Sequence, residues 1–494
     1  MTGSGMVAAG HPLTAEAGAR VLREGGNAVD AALAAMLTSW IAEPLLTGPG
    51  AGGYLLVAGA DETPTLLDFF VAAPGCGGDG PARAELVPID VSFGDVVQVF
   101  NVGAASCGAY GVPAGLAEAS RRWGTVPLSE LAAPAAALGR EGAVLNAQQA
   151  YIFEILGGIL VSSPEASALF APAGRPLREG ERFSNPELAD TIERLGAEGA
   201  EPFYRGDLAA AVVDWLAQRG GTLGRGDLDA YEAIPREPAR VTYRGRQVLT
   251  NPPPSAGGIL LALAMAQLDE ASAGVPSVAR IVEVMESVQG RRTPEFLAGL
   301  AEPGFLERFL AANLGSTTHI AVLDRDGRAC SVTCTNGEGS GVVVPGTGIH
   351  VNNIMGEEDL SPLGFFQAPP GRRMPSMMAP TVVLGPDGHV ELALGSAGSN
   401  RIRSAILQTI VNVVDRGMRA GDAVRAPRVH FEGGLVYAEP DIDLSELEAA
   451  GRTIARFRDL NLFFGGVQAV ERDPVSGELS GGGDPRRGGV VVAA

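Results

Sequence analysis

The chain contains no lysine: all 37 of its basic residues are arginine. This excludes a Schiff-base lysine, a Ser–Lys nucleophile pair and the lysine of a phosphate-binding P-loop. Cysteine is scarce too, with four in 494 residues, too few for a disulfide scaffold in a chain of this length. Cys330 and Cys334 lie four apart in a segment that reads as a strand. They would share a face about 13 Å apart, too far for a bridge, so buried free thiols are expected. The five histidines are His11, His319, His350, His389 and His430. None stands in an HExxH or paired-cysteine context, so no zinc site is expected, and His389, on a turn, should face solvent.

Long apolar runs are also missing. The best, Val29 to Leu46, carries Asp30 and Glu43 and ends around Pro44. It falls short of the roughly 18 to 20 apolar residues a membrane helix needs. Met1 to Pro12 has neither the basic nor the apolar region of a signal peptide, so the expectation is a cytoplasmic protein with no membrane contact. Acids outnumber bases 57 to 37, for a net charge of −20. Such a surface repels a phosphate backbone, and nucleic acid is not an expected partner. No GxSxG nucleophile elbow is present, the nearest string being Gly339-Ser340-Gly341. Gly48 to Gly53 satisfies GxGxxG, but it follows a helix and opens a strand. That is the reverse of a dinucleotide site, so close backbone packing is the better reason for these glycines.

What is present is apolar material, 46% of the chain, enough for a large core or two fused ones. Thr14 is a plausible N-cap for a helix over Ala15 to Arg23, stopped by Gly25-Gly26. A second helix, Ala28 to Ala42, is apolar almost all round and should be buried. Strand-like runs follow at Tyr54 to Ala58 and Thr65 to Phe70. Gly115 to about Leu310 reads mainly as helices, interrupted by a hairpin over Arg240 to Asn251 and by Pro252-Pro253-Pro254. Beyond this, hairpins are predicted around Asp326-Gly327, Asp387-Gly388 and Ser476-Gly477, with a helix over Arg401 to Arg416. Hairpin units flanked by helices imply an α+β architecture of sheets covered by helical layers. No linker or low-complexity tract divides the chain.

Gly315-Ser316-Thr317-Thr318-His319 means little by itself, since two threonines opening a strand are ordinary strand formers. Its context changes that. His11-Pro12-Leu13, Gly25 to Ala32, Gly48 to Gly53, Gly111-Val112-Pro113, Phe203 to Gly206 and Pro252 to Gly258 stand in order before it. Pro345 to Gly348, Asn352-Asn353, Ala379-Pro380-Thr381, Gly395 to Gly398 and Asp484-Pro485-Arg486 follow it. Over nearly its full length the chain thereby resembles the gamma-glutamyltransferase family of N-terminal-nucleophile hydrolases.

The resemblance implies a four-layer αββα sandwich, made as one precursor that cuts itself between Ser316 and Thr317. The products, 1–316 and 317–494, would stay intertwined as a heterodimer, with Thr317 as the nucleophile and no cofactor or metal. It further implies that Thr335 assists beside the nucleophile. Backbone N–H groups of Gly398 and Ser399 would form the oxyanion hole, where the family usually has two glycines. Asn336, Glu357 and Ser376 would contact the substrate. The resemblance also departs from the family at the donor site. Phe70 stands where the family's carboxylate-binding arginine would be, Ile354 replaces a polar residue after Asn352-Asn353, and Met377 replaces a second serine. Arg372 or Arg373 is an alternative source of the missing cation. The implied substrate is therefore a small-molecule amide, either γ-glutamyl or, as in the family's cephalosporin acylases, another acyl group.

Overall fold

The structure is a computed structural model and describes residues 4–60, 62–77, 84–92, 97–270, 274–290, 317–361 and 364–494. Two antiparallel sheets lie face to face at its centre. The first runs edge to edge through Val490–Ala493, Gly5–Ala9, Thr318–Asp324, Ala329–Thr335, Gly52–Gly59, Glu62–Phe69 and Ile234–Arg236. The second runs through Leu479–Gly483, Gly466–Arg472, Val390–Ala397, Thr381–Leu384, Arg246–Thr250 and Ala239–Tyr243. Helices Pro12–Arg23 and Ala28–Ala42 cover the outer face of the first sheet, and Ala256–Glu270, Arg401–Val414 and Ala420–Arg425 cover that of the second. This is the four-layer αββα sandwich that the sequence led us to expect.

Both faces of the first sheet are covered, so its strands are apolar on both sides rather than alternating. In Gly52–Gly59, Leu55 and Val57 pack toward the helical layer while Tyr54, Leu56 and Ala58 pack toward the second sheet. Residues on either side of position 317 interleave. Gly5–Ala9 pairs with Thr318–Asp324, Gly52–Gly59 with Ala329–Thr335, and Arg246–Thr250 with Thr381–Leu384. Each sheet therefore depends on both parts of the chain.

The buried helix Ala28–Ala42 starts with a reciprocal cap: Asn27 Oδ1 accepts from the N–H groups of Val29 and Asp30, and Asp30 Oδ2 accepts from Asn27 N–H. The helix before it differs from expectation. It begins at Pro12, with His11 as its N-cap accepting from Leu13 N–H at 3.1 Å. Proline suits the first helical position because its missing N–H would have been unpaired there. Thr14 does not cap, because its hydroxyl donates instead to Glu43 Oε1 at 2.8 Å. The glycines at 48–53 act as predicted: a Cβ at Gly50 would stand 2.5 Å from His350 O, at Gly52 2.6 Å from Val71 N, and at Gly53 2.5 Å from Thr333 O. Cys107, Cys330 and Cys334 are buried and free, and His389 is exposed.

Candidate active site

Thr317 immediately precedes the strand Thr318–Asp324, which pairs with Ala329–Thr335 through Thr318 opposite Cys334. Continuing that register by one residue sets Thr317 opposite Thr335. Both line one pocket, and both are buried. Thr335 Oγ1 accepts from Gly337 N–H at 2.9 Å, which turns the chain away at the strand's end. The two residues after Thr317 hold the start of the strand Thr318–Asp324 in place. Thr318, on the helical side, donates to Glu43 Oε2 at 2.7 Å. Burial raises the pKa of Glu43, against the opposing effect of the Thr318 and Thr14 hydroxyls. His319, on the other side, sits between the sheets with Nδ1 2.8 Å from Thr333 Oγ1. Its ring occupies the space a side chain at Gly395 would need. Burial lowers its pKa to about 3, so it is neutral and acts as packing.

The pocket is a cleft rather than a closed cavity, with about 230 Å³ of empty space when the open solvent at its mouth is included. Phe70 forms one wall, just beyond the strand Glu62–Phe69. It is fully buried, stacks on Tyr54 with centroids 5.5 Å apart, and its carbonyl accepts from Tyr231 OH at 2.6 Å. A second wall carries Ile354 and Glu357. Asn352 sets its course: Nδ2 donates to Gly50 O and Gly108 O, and Oδ1 accepts from Gly108 and Ile354 N–H. The third wall is Ser376, Met377 and Met378. The Ser255-Ala256-Gly257 segment grips it: Ser255 Oγ, Ala256 N–H and Gly257 N–H all donate to Ser376 O. Gly257 is required there, because a Cβ would lie 2.0 Å from Met377 O.

Gly398 (φ 108) and Ser399 (φ 67) form the turn between the strand Val390–Ala397 and the helix Arg401–Val414. Their carbonyls accept from Arg401 and Ile402 N–H at 3.2 and 3.0 Å, so the helix start orients the 398–399 and 399–400 peptide groups, the first of which carries Ser399 N–H. Neither residue is in the pocket lining, but Ile402 is, which places the turn beside it. Asn336 is not brought into the lining either: its amide nitrogen lies 3.4 Å from His350 O. The predicted cleavage partner Ser316 lies outside the described residues. Thr317, Thr335, Phe70, Ile354, Glu357, Ser376 and Met377 are therefore gathered at one pocket from five separate stretches of sequence.

The alternative cation is committed elsewhere. Arg373 is buried, with Nε 3.4 Å from Asp68 Oδ1, its guanidinium 4.2 Å over the Tyr231 ring, and a hydrogen bond to Glu232 O. Arg236 makes a second ion pair with Asp68 at 2.7 Å. Neither Arg372 nor Arg373 lines the pocket. Sequence reasoning missed Glu43, whose only signal is an acid ending an otherwise apolar helix. It also missed Leu360, Met378 and Ile402 in the lining, which as apolar residues carry no local signal.

A sequence model of gamma-glutamyltranspeptidase matches residues 14–305 and 299–494. The chain is 33% identical to the acylase ACY 1 proenzyme of Pseudomonas sp. (strain SE83), over 99% of this chain and 93% of that one. It is 30% identical to the glutathione hydrolase proenzyme of Bacillus subtilis (strain 168), over 99% and 91% respectively. Its fold matches the crystal structure of cephalosporin acylase from Bacillus halodurans with a TM-score of 0.84 at 27% identity, covering 99% of this chain and 96% of that one.

Proposed function

Because this chain belongs to the gamma-glutamyltranspeptidase family, we propose that it is a self-processing N-terminal-threonine amidohydrolase whose acyl pocket is not built for an α-carboxylate. Cleavage between Ser316 and Thr317 would give two polypeptides, 1–316 and 317–494, held as a heterodimer by the interleaved sheets. It would also free the α-amino group of Thr317. With a reference pKa of about 7.7–8.0, that amine is partly neutral near pH 7 and can take the hydroxyl proton, directly or through a water. Thr317 Oγ1 then attacks the amide carbonyl, the C–N bond breaks, and the proton passes to the departing amine. Water, or a second amine, releases the acyl group. The N–H groups of Gly398 and Ser399 are assigned to the developing oxyanion, a role that needs main-chain donors and tolerates serine.

The observation that carries the specificity reading is Phe70 in the wall beside Thr317, with the nearby arginines paired to Asp68 below it. A carboxylate bound without its cationic partner forgoes about 1.5–3 kcal/mol of charge-assisted hydrogen bonding. This favours an acylase-type substrate. The γ-glutamyl reading has its own support in Glu357 and Ser376, both in the lining and able to face a donor's ammonium and a polar edge. Chromogenic anilides test the assignment. Purified protein should release the aniline from simple acyl anilides faster than from the γ-glutamyl compound, and Thr317→Ala should release none. Turnover by Thr317→Ala would sink the nucleophile assignment, and turnover of the γ-glutamyl anilide alone would sink the acylase reading.

A further inference from the structure

The strand Thr318–Asp324 has a neighbour on each side for most of its length, but not where it meets Thr317. Its pairing with Gly5–Ala9 stops at Ile320 opposite Ala9, while its pairing with Ala329–Thr335 continues to Thr318 opposite Cys334. Cleavage before Thr317 would also sever the chain on that side. The nucleophile would then be held from one direction and by one ladder. Thr317 lines the pocket and His319 lies between the sheets, so Thr318, by the two-residue period of a strand, faces the helical layer.

There it meets Glu43. The Thr318 hydroxyl donates to Oε2 at 2.7 Å and the Thr14 hydroxyl to Oε1 at 2.8 Å, so one buried carboxyl ties the strand to both covering helices. Glu43 ends the helix Ala28–Ala42, with its N–H donating to Ser39 O at 2.7 Å. Gly10 makes room for the carboxyl: a Cβ there would stand 2.6 Å from Oε2. Burial, and the negative end of the helix dipole beside it, both favour the neutral carboxyl over the carboxylate.

Resting on Thr317 as the nucleophile, we propose that Glu43 is a positioning residue: through the Thr318 hydroxyl it fixes the strand end that carries Thr317 Oγ1, for self-cleavage and for turnover alike. It stands on the far side of the sheet from the pocket and acts only through Thr318. A reacting atom misplaced by about 1 Å costs about a hundredfold in rate. The pocket walls come from other segments, so loosening this tie lowers kcat and leaves KM.

Thr318→Val keeps the branched shape that suits a strand and removes only the hydroxyl, and Glu43→Leu removes the carboxyl. Intact mass followed over time gives the rate of self-cleavage. Turnover per cleaved molecule is measured on whichever of the simple acyl or γ-glutamyl anilides wild type hydrolyses. Both variants should cut themselves and turn over at least tenfold more slowly than wild type, with KM within about threefold. Glu43→Gln and Thr318→Ser, which keep the hydrogen bond, should recover most of the rate. Thr14→Val takes the other hydroxyl from the same carboxyl and should keep kcat within about threefold. A folded Thr318→Val that stays uncut while Thr14→Val is cut also upholds the proposal. An equal loss in Thr14→Val, a rise in KM alone, or wild-type cleavage and kcat in Thr318→Val overturns it, while the cut and active wild type still upholds the nucleophile. A wild type that neither cuts itself nor turns over an anilide overturns the nucleophile reading, and the proposal with it. Where Glu43→Leu fails to fold, Thr318→Val decides the matter.

Discussion

Ser399 shows how a single residue can break a backbone rule at the turn beside the candidate site. It holds φ 67 without being glycine, a conformation that costs an L-residue about 1–2 kcal/mol. Its hydroxyl accepts from Asn400 N–H and from Arg401, local bonds that help a short polar side chain sit there. If only the peptide N–H matters to catalysis, Ser399→Gly should keep kcat/KM within a few-fold of wild type. Its stability should move by no more than about 1 kcal/mol, since relief of strain is offset by the greater freedom of glycine in the unfolded chain. Steady-state kinetics and a denaturant midpoint check both. A hundredfold loss of kcat at unchanged stability would show that the hydroxyl takes part. At this scale the sequence was informative where chemistry is unusual, as at Phe70 and Ile354. It was silent where the lining is merely apolar, as at Leu360 and Ile402. It also misread Thr14, whose partner Glu43 is 29 residues away.

Among the elements, those with strong local signals were legible. The buried helix Ala28–Ala42 and the hairpins around Asp326-Gly327 and Asp387-Gly388 stand where apolar periodicity and Asp-Gly turns put them. Besides the short Ile234–Arg236, two strands of the first sheet were not foreseen, Gly5–Ala9 and Val490–Ala493, which pair with each other. Each is short, and each forms only because a partner from the far end of the chain supplies its hydrogen bonds. The small sheet of Val429–Glu432, Leu435–Ala438 and Ile454–Arg456 was missed for the same reason, since its last strand joins in parallel across a helix. The site was more legible than these edges. The wall residues sit at element ends fixed by dense glycine and asparagine contacts, and such residues leave a visible trace in sequence. That Asn336 turns toward His350 rather than into the pocket is set by tertiary packing.

For the whole molecule, burial gives a defined response to acid. Desolvation lowers the pKa of His11, His350 and His430 to about 4 and of His319 to about 3. An unfolded histidine titrates near 6.5. Between about pH 6.5 and 4 the unfolded chain therefore binds protons that the folded chain refuses, and stability falls as pH falls. Each histidine contributes up to about 1.4 kcal/mol per pH unit in that window. Glu43, with its raised pKa, has the opposite sign and offsets part of the slope. Denaturant midpoints measured from pH 7.5 to 4.5 should drop steeply below about 6.5, and a flat profile would contradict the buried, neutral histidines.

The two halves of the chain share both sheets, so a cut before Thr317 would leave the molecule assembled. Intact mass of the purified protein beside Thr317→Ala tests the central claim most directly. The account predicts two wild-type species, residues 1–316 and 317–494, that co-purify, and an uncut variant. A folded wild type that stays at full length would contradict self-processing and, with it, the role of Thr317 as an N-terminal nucleophile.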